Sequence, residues 1–229
     1  MRIYGLQKLT LLDFPGRTAC TVFTGGCNFR CPFCHNASLV KADSKTEYLS
    51  EGDFFAFLGK RRGLLDGVAI TGGEPTVSDD LDIFIKEIKM LGFEVKLDTN
   101  GMRPDVVESL ICAGNLDYVA MDVKNSPEKY PVTVGRKNVD LSKIEKTVSL
   151  LRENGIPHEF RTTVVKELHQ AEDFIKIGEW LGGPENYYLQ YFADSGDILS
   201  SGMSACSGDD MELFAGELKK YFADTFIRG

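Results

Sequence analysis

The sequence predicts an α/β fold, a barrel-like parallel sheet with helices on its outside. Three observations predict it. Six apolar, β-branched runs alternate strictly with helical stripes, the order expected of a parallel sheet covered by helices. The chain has 229 residues and 43% hydrophobic content, enough for one large core rather than two small ones. Every unusual motif falls at the carboxyl end of a strand-like run, where such sheets gather ligands.

The elements follow in order. Residues 1–17 read as a lead-in ending in the turn Asp13-Phe14-Pro15-Gly16. The first strand covers 18–24 and closes on Gly25-Gly26. A loop with three cysteines then runs to about Leu49. Ser50-Glu51-Gly52-Asp53 starts a helix with Phe54, Phe57 and Leu58 on its apolar face. The second strand, 67–71, ends in Gly72-Gly73. Leu81, Phe84, Ile85, Ile88 and Leu91 form one helical stripe that Gly92 stops. Asp79 and Asp80 favour the positive end of that helix dipole. The third strand, 93–99, ends in Asn100-Gly101, and a helix over 104–113 opens on proline. The fourth strand covers 117–124. Ser142-Lys143-Ile144-Glu145 reads as a capping box for a helix that Gly155 stops. The fifth strand covers 158–165, followed by a helix carrying Ala171, Phe174, Ile175 and Leu181. The sixth covers 187–192. After a Gly/Ser-rich loop over 195–208, a last helix carries Met211, Phe214, Ala215, Leu218 and Phe222. No linker or repeat divides residues 1–229, which are read as a single domain.

The formal charge is −8 with no basic cluster, which argues against nucleic-acid binding. No apolar run approaches membrane-spanning length and the N-terminus has no secretory pattern. These features point to a cytoplasmic protein with no membrane partner. Of six cysteines, Cys20 and Cys112 stand in apolar contexts and are expected to be buried and inert. Cys206, in the Gly/Ser-rich loop, is expected to be a free surface thiol.

Cys27, Cys31 and Cys34 stand in a Cys-x3-Cys-x2-Cys spacing just after the first strand. Three thiolates on one loop can hold three corners of a cubic iron–sulfur cluster, which normally takes four cysteines. No fourth is near, so one iron would be open to a substrate or cosubstrate. Zinc is the rival, but it wants four ligands at other spacings, and only His35 is close. Lys96 and Asp98 share one strand face, as do Asp122 and Lys124. Charges on an inward face need pairing or a ligand, and plain salt bridging between neighbouring strands is the alternative.

The cysteine motif with its aromatic Phe33, followed by Gly72-Gly73-Glu74, resembles the radical S-adenosylmethionine enzymes. The resemblance implies a partial (β/α)6 barrel, open on one side. It also implies a [4Fe–4S] cluster and S-adenosylmethionine bound through its methionine amino and carboxyl groups and cleaved to a 5′-deoxyadenosyl radical. Phe33 would contact adenine, and Gly72 and Gly73 would let the backbone approach the methionine amino group. Glu74 would orient that loop. The Leu-Asp-Thr-Asn-Gly and Met-Asp-Val-Lys stretches look like those of glycyl radical enzyme activases. By that likeness Asp98, Thr99 and Asp122 would hold a monovalent cation near the cosubstrate, and Lys124, beside Val123, would contact the cosubstrate. His35 and Asn36 would border the site, and Arg161 is a further candidate. No histidine stands in the sixth strand, a departure from pyruvate formate-lyase activators. Gly5-Leu6-Gln7-Lys8 and Leu12-Asp13-Phe14-Pro15-Gly16 resemble activators of the anaerobic ribonucleoside-triphosphate reductase. The resemblance therefore implies hydrogen abstraction from a glycine of that partner, with flavodoxin or ferredoxin as electron donor. The rivals are activation of another glycyl radical enzyme, a radical enzyme acting on a small molecule or peptide, with Gln190 and Asp194 as candidate contacts, and a non-catalytic iron–sulfur or zinc module.

Overall fold

A computed structural model describes residues 1–42 and 45–229. Positions 43–44, inside the stretch expected to be the cysteine loop, lie outside the described residues. The strands are β1 (Ile3–Thr10), β2 (Ala19–Thr24), β3 (Gly67–Gly72), β4 (Glu94–Thr99), β5 (Tyr118–Asp122), β6 (His158–Val164), β7 (Gly183–Tyr191) and β8 (Phe222–Arg228). They form one sheet in sequence order. From β2 to β8 every pairing is parallel, and β1 runs antiparallel to β2. β1 and β8 are the two edges, so the sheet is open.

The helices are α1 (Ala37–Val40), α2 (Glu51–Gly59), α3 (Leu81–Met90), α4 (Pro104–Cys112), α5 (Tyr130–Thr133), α6 (Leu141–Glu153), α7 (Ala171–Leu181) and α8 (Gly208–Leu218). They supply the crossovers that parallel neighbours require. On α3 the expected stripe is the core face: Leu81, Phe84, Ile85 and Ile88 are buried, each worth about 1.5–3 kcal/mol relative to exposure. The strands' outward side chains, such as Val68, Val95, Val119, Phe160 and Leu189, are fully buried in the same core.

Several local expectations are corrected. The lead-in contains an edge strand, β1, whose exposed middle and bulged register hide the period-2 signal. α6 starts at Leu141 with Asp140 as its N-cap, and the Ser142 hydroxyl is spent on the Asp140 carboxylate at 2.6 Å. Ser142 therefore opens no capping box. β7 begins at Gly183, four residues before the expected strand. Phe222 opens β8 rather than ending the last helix. Cys112 lies on the exposed side of α4. Cys206 is buried, next to a bridge between Val165 and Ala205 that pulls its loop onto the sheet. Cys20 is buried as expected.

β8 is tied in from inside the sheet. Arg228 Nη1 and Nη2 donate to Glu159 Oε1 and Oε2 at 2.9 and 3.0 Å, and the Tyr118 hydroxyl donates to Glu159 Oε2 at 3.0 Å. Glu159 is only 1% exposed. Arg228→Ala leaves this buried carboxylate a single donor. The expected loss is about 2–3 kcal/mol, below the full value for a buried pair because Arg228 is partly exposed. A urea midpoint that falls with unchanged slope checks it.

Candidate active site

The site is assembled at the carboxyl ends of the strands. A cavity of about 380 Å³ is lined by all three cysteines of the motif and by Phe33, His35 and Asn36 beside them. Gly72, Gly73 and Glu74 line it from β3, and Asp98, Thr99, Asp122, Lys124 and Arg161 from the strands beyond. Val123 does not line it. Its side chain is fully buried in the core, its N–H donates to the Arg161 carbonyl at 2.9 Å, and its own carbonyl accepts the Thr162 hydroxyl at 2.6 Å.

The cysteine loop is held from several directions. Arg30 N–H donates to the Val134 carbonyl at 2.8 Å, and Arg136 Nε to the Asn28 carbonyl at 2.7 Å. The Phe29 ring meets Tyr130 on α5 edge-on at 6.2 Å. After β7, Asp197 accepts the Ser38 N–H and hydroxyl at 3.0 and 2.6 Å, and the Ser200 N–H donates to the Pro32 carbonyl at 2.9 Å. Sequence reasoning missed Arg136 and Asp197, because neither has a local motif. Asn36 Nδ2 donates to the Gly72 carbonyl at 3.3 Å, joining the end of the loop to β3.

Glu74 is 2% exposed and its oxygens are fully engaged. Oε1 accepts from Thr76 N–H, Thr76 Oγ1 and Thr99 Oγ1, at 3.2, 2.5 and 2.7 Å, and Oε2 from Asn100 N–H at 2.7 Å. Burial pushes its carboxyl up, while these four donors favour the ionised form. Glu74 thus fastens the end of β3 to the end of β4. Gly73 is dictated by the chain's own backbone: a Cβ there would stand 1.9 Å from the Gly26 carbonyl oxygen. Gly72 has φ +119°, and the Thr24 backbone leaves no room for a Cβ.

The charged residues form one buried network. Lys96 pairs with Asp98, and Lys124 Nζ donates to Asp122 Oδ2 at 2.8 Å. Arg161, opposite Asp122 in the strand register, bridges both carboxylates: Nε to Asp122 Oδ1 at 2.5 Å and Nη2 to Asp98 Oδ2 at 2.9 Å. Burial alone would raise both carboxyls. Arg161, with Lys96 at Asp98 and Lys124 at Asp122, holds them below the usual range. Burial would likewise lower Lys124 and Arg161, yet Asp122 raises both. Three cations face two carboxylates, leaving one unit of positive charge. Of the three cations only Lys124 and Arg161 line the cavity, where Asp98 and Asp122 match them. The monovalent cation expected beside Asp98, Thr99 and Asp122 gains no support here, since both carboxylates already carry cationic partners.

His169, which the sequence did not single out, positions Lys124. Its Nδ1 accepts the Val165 N–H at 3.0 Å, which places the proton on Nε2, and Nε2 then donates to the Lys124 carbonyl at 2.9 Å. Burial lowers its pKa and keeps it neutral. His35 is also held neutral, by burial first and by Lys124 next.

The thiols fit three corners of a cluster better than a single ion. All three open onto one cavity, yet among the described residues no three His, Cys, Asp or Glu side chains form a group that could hold one metal ion, as zinc would need. Burial pushes the Cys27 thiol up to about 11 and the Cys31 thiol to about 12, and nearby Lys124 offsets part of this. Metal ligation needs thiolates. Iron uptake by the iron-free chain should therefore release protons and tighten between about pH 7 and about pH 9. Calorimetry in buffers of different ionisation enthalpy counts those protons; pH-independent uptake without release would contradict the ligand assignment.

Comparisons with known proteins agree with this geometry. The family model of the radical SAM superfamily matches residues 21–181. The chain is 31% identical over 236 aligned residues to a protein of Methanocaldococcus jannaschii provisionally named a glycyl-radical enzyme activating enzyme, covering 99% of this chain and 95% of that one. It is 27% identical over 192 residues to the pyruvate formate-lyase-activating enzyme of Listeria monocytogenes, covering 79% and 75%. The fold is similar to that of a radical SAM methyltransferase from Sphaerobacter thermophilus, with a TM-score of 0.76 at 15% identity over 96% of this chain and 68% of that one. With three cysteines and a glycine-edged strand end on one cavity, the chain belongs to the radical SAM superfamily, a family that implies a [4Fe–4S] cluster and S-adenosylmethionine.

Proposed function

We propose that this chain activates a glycyl radical enzyme by removing an α-hydrogen atom from one glycine, leaving the radical on that partner. The partner we favour is the anaerobic ribonucleoside-triphosphate reductase, with flavodoxin or ferredoxin as electron donor, and residues 1–229 acting as one domain. Cys27, Cys31 and Cys34 hold three irons of the cluster. When bound, the cluster and S-adenosylmethionine supply the electron and the acceptor for the hydrogen atom. Lys124 and Arg161 are placed to meet a methionine carboxylate while they stay paired with Asp122 and Asp98. Phe33 offers its ring to adenine. Gly72, Gly73 and Asn36 form the backbone edge beside it, and His35 contributes a neutral wall.

The observation that carries this reading is the cavity itself. Its three thiols sit at the mouth of an open sheet, and its lining cations, Lys124 and Arg161, are both committed to carboxylates. The similarity along 99% of the chain to a protein named as a glycyl-radical activating enzyme supports the same reading.

Anaerobic incubation of the reduced, reconstituted protein with S-adenosylmethionine and the reductase should give a carbon-centred paramagnetic signal on the reductase. A signal only with pyruvate formate-lyase would reassign the partner, and no signal with either would refute the activase reading. Cys31→Ala should lose both the brown cluster absorbance and cosubstrate cleavage. Asp122→Ala should keep the absorbance but weaken cosubstrate binding about tenfold or more, since it unpairs a buried charge cluster. Unchanged binding would make that carboxylate purely structural.

A further inference from the structure

The cavity has a second half that the charged network does not reach. On β6 and β7, Thr163 and Gln190 are direct partners in the strand register, so their side chains leave the same face side by side. Both line the cavity, two residues beyond Arg161 towards the cysteine loop. Among the described residues neither the Gln190 amide nor the Thr163 hydroxyl has a hydrogen-bond partner, whereas the charged residues Asp98, Asp122, Lys124 and Arg161 lining the same cavity are all paired. Arg228, opposite Gln190 on β8, does not serve it, because its guanidinium turns back to Glu159 and lies 3.4 Å from the centre of the Tyr188 ring. Gln190 therefore stands in an uncharged strip, next to the open flank of the sheet, with one acceptor and two donor positions free.

A side-chain amide is the self-complement of a peptide group, since each offers an N–H and a carbonyl. We infer that Gln190, with Thr163 beside it, is a specificity-determining contact that reads the main-chain amide next to the target glycine. This rests on the reading that the substrate is a protein glycine. A glycine has no side chain to grip, so its own peptide groups are what the enzyme can hold when it brings the α-carbon to the radical. The strip's lack of charge matches a neutral peptide and offers a carboxylate or phosphate only neutral donors, with no ion pair.

The test uses the full-length, cluster-loaded protein with anaerobic ribonucleoside-triphosphate reductase carrying [2,2-²H₂]glycine, and reads deuterium in 5′-deoxyadenosine. Transfer by the wild type establishes the activase reading. Its absence would overturn that reading and this inference with it. Given transfer, Gln190→Leu should raise the KM for the reductase about tenfold or more, as expected when a neutral hydrogen bond is lost and its partner is left buried. The dissociation constant for S-adenosylmethionine and its partner-free cleavage should stay unchanged. Gln190→Glu, which keeps an acceptor, should recover part of the loss. Thr163→Val, a smaller change, should raise the same KM less and serves if Gln190→Leu does not fold. An unchanged KM for the reductase would overturn the inference. So would a raised dissociation constant for S-adenosylmethionine, which would assign Gln190 to the cosubstrate.

Discussion

Five ionic side chains stand together inside the sheet, and their mutual pairing is the constraint on which the rest of the site depends. Lys96, Asp98, Asp122, Lys124 and Arg161 come from three adjacent strands, at a depth where an unpaired charge would be prohibitive. Arg161 is the keystone because a planar guanidinium can serve two carboxylates at once. Its bridge spans β4, β5 and β6 without closing the cavity above. Lys124, on the cavity wall, also turns its charge towards the Cys27 and Cys31 thiols. That nearby positive charge favours the thiolate forms that metal ligation needs.

Above that floor, the cysteine loop is short of regular structure and needs external support. Glu74 fixes the β3 and β4 ends to one another. The segment after β5 grips the loop through Val134, Tyr130 and Arg136. The segment after β7 grips it through Asp197 and Ser200. His169 in turn orders the backbone at Lys124. The chemistry rests on a loop, but strand-end contacts around the rim determine its shape, as expected of a site built on a rigid scaffold.

What could be read from the sequence follows from how local each signal is. Six strand–helix alternations were legible because buried parallel strands and amphipathic helices write their periods plainly. β1 and β8 were not, because edge strands are half exposed and carry no such period. Fourteen of the fifteen expected site positions line the one cavity, Val123 being the exception. Val123 failed on simple geometry: the residue between two inward side chains must point outward. Asp197, Arg136 and His169 were invisible because their partners are distant in the chain. The expected cation came from the family resemblance alone, and the ion pairs of Asp98 and Asp122 with Arg161 give it no support.

The proposed chemistry needs three protein thiolates on the cluster and one iron left free for the cosubstrate. Electron–nuclear double resonance of the reduced, cluster-loaded protein tests this directly, using S-adenosylmethionine labelled with ¹⁵N in its amino group and ¹⁷O in its carboxylate. Hyperfine coupling from both labels is the expected result. A cluster that shows neither coupling while the cosubstrate is bound would mean the fourth iron has a protein ligand, and the account would be wrong.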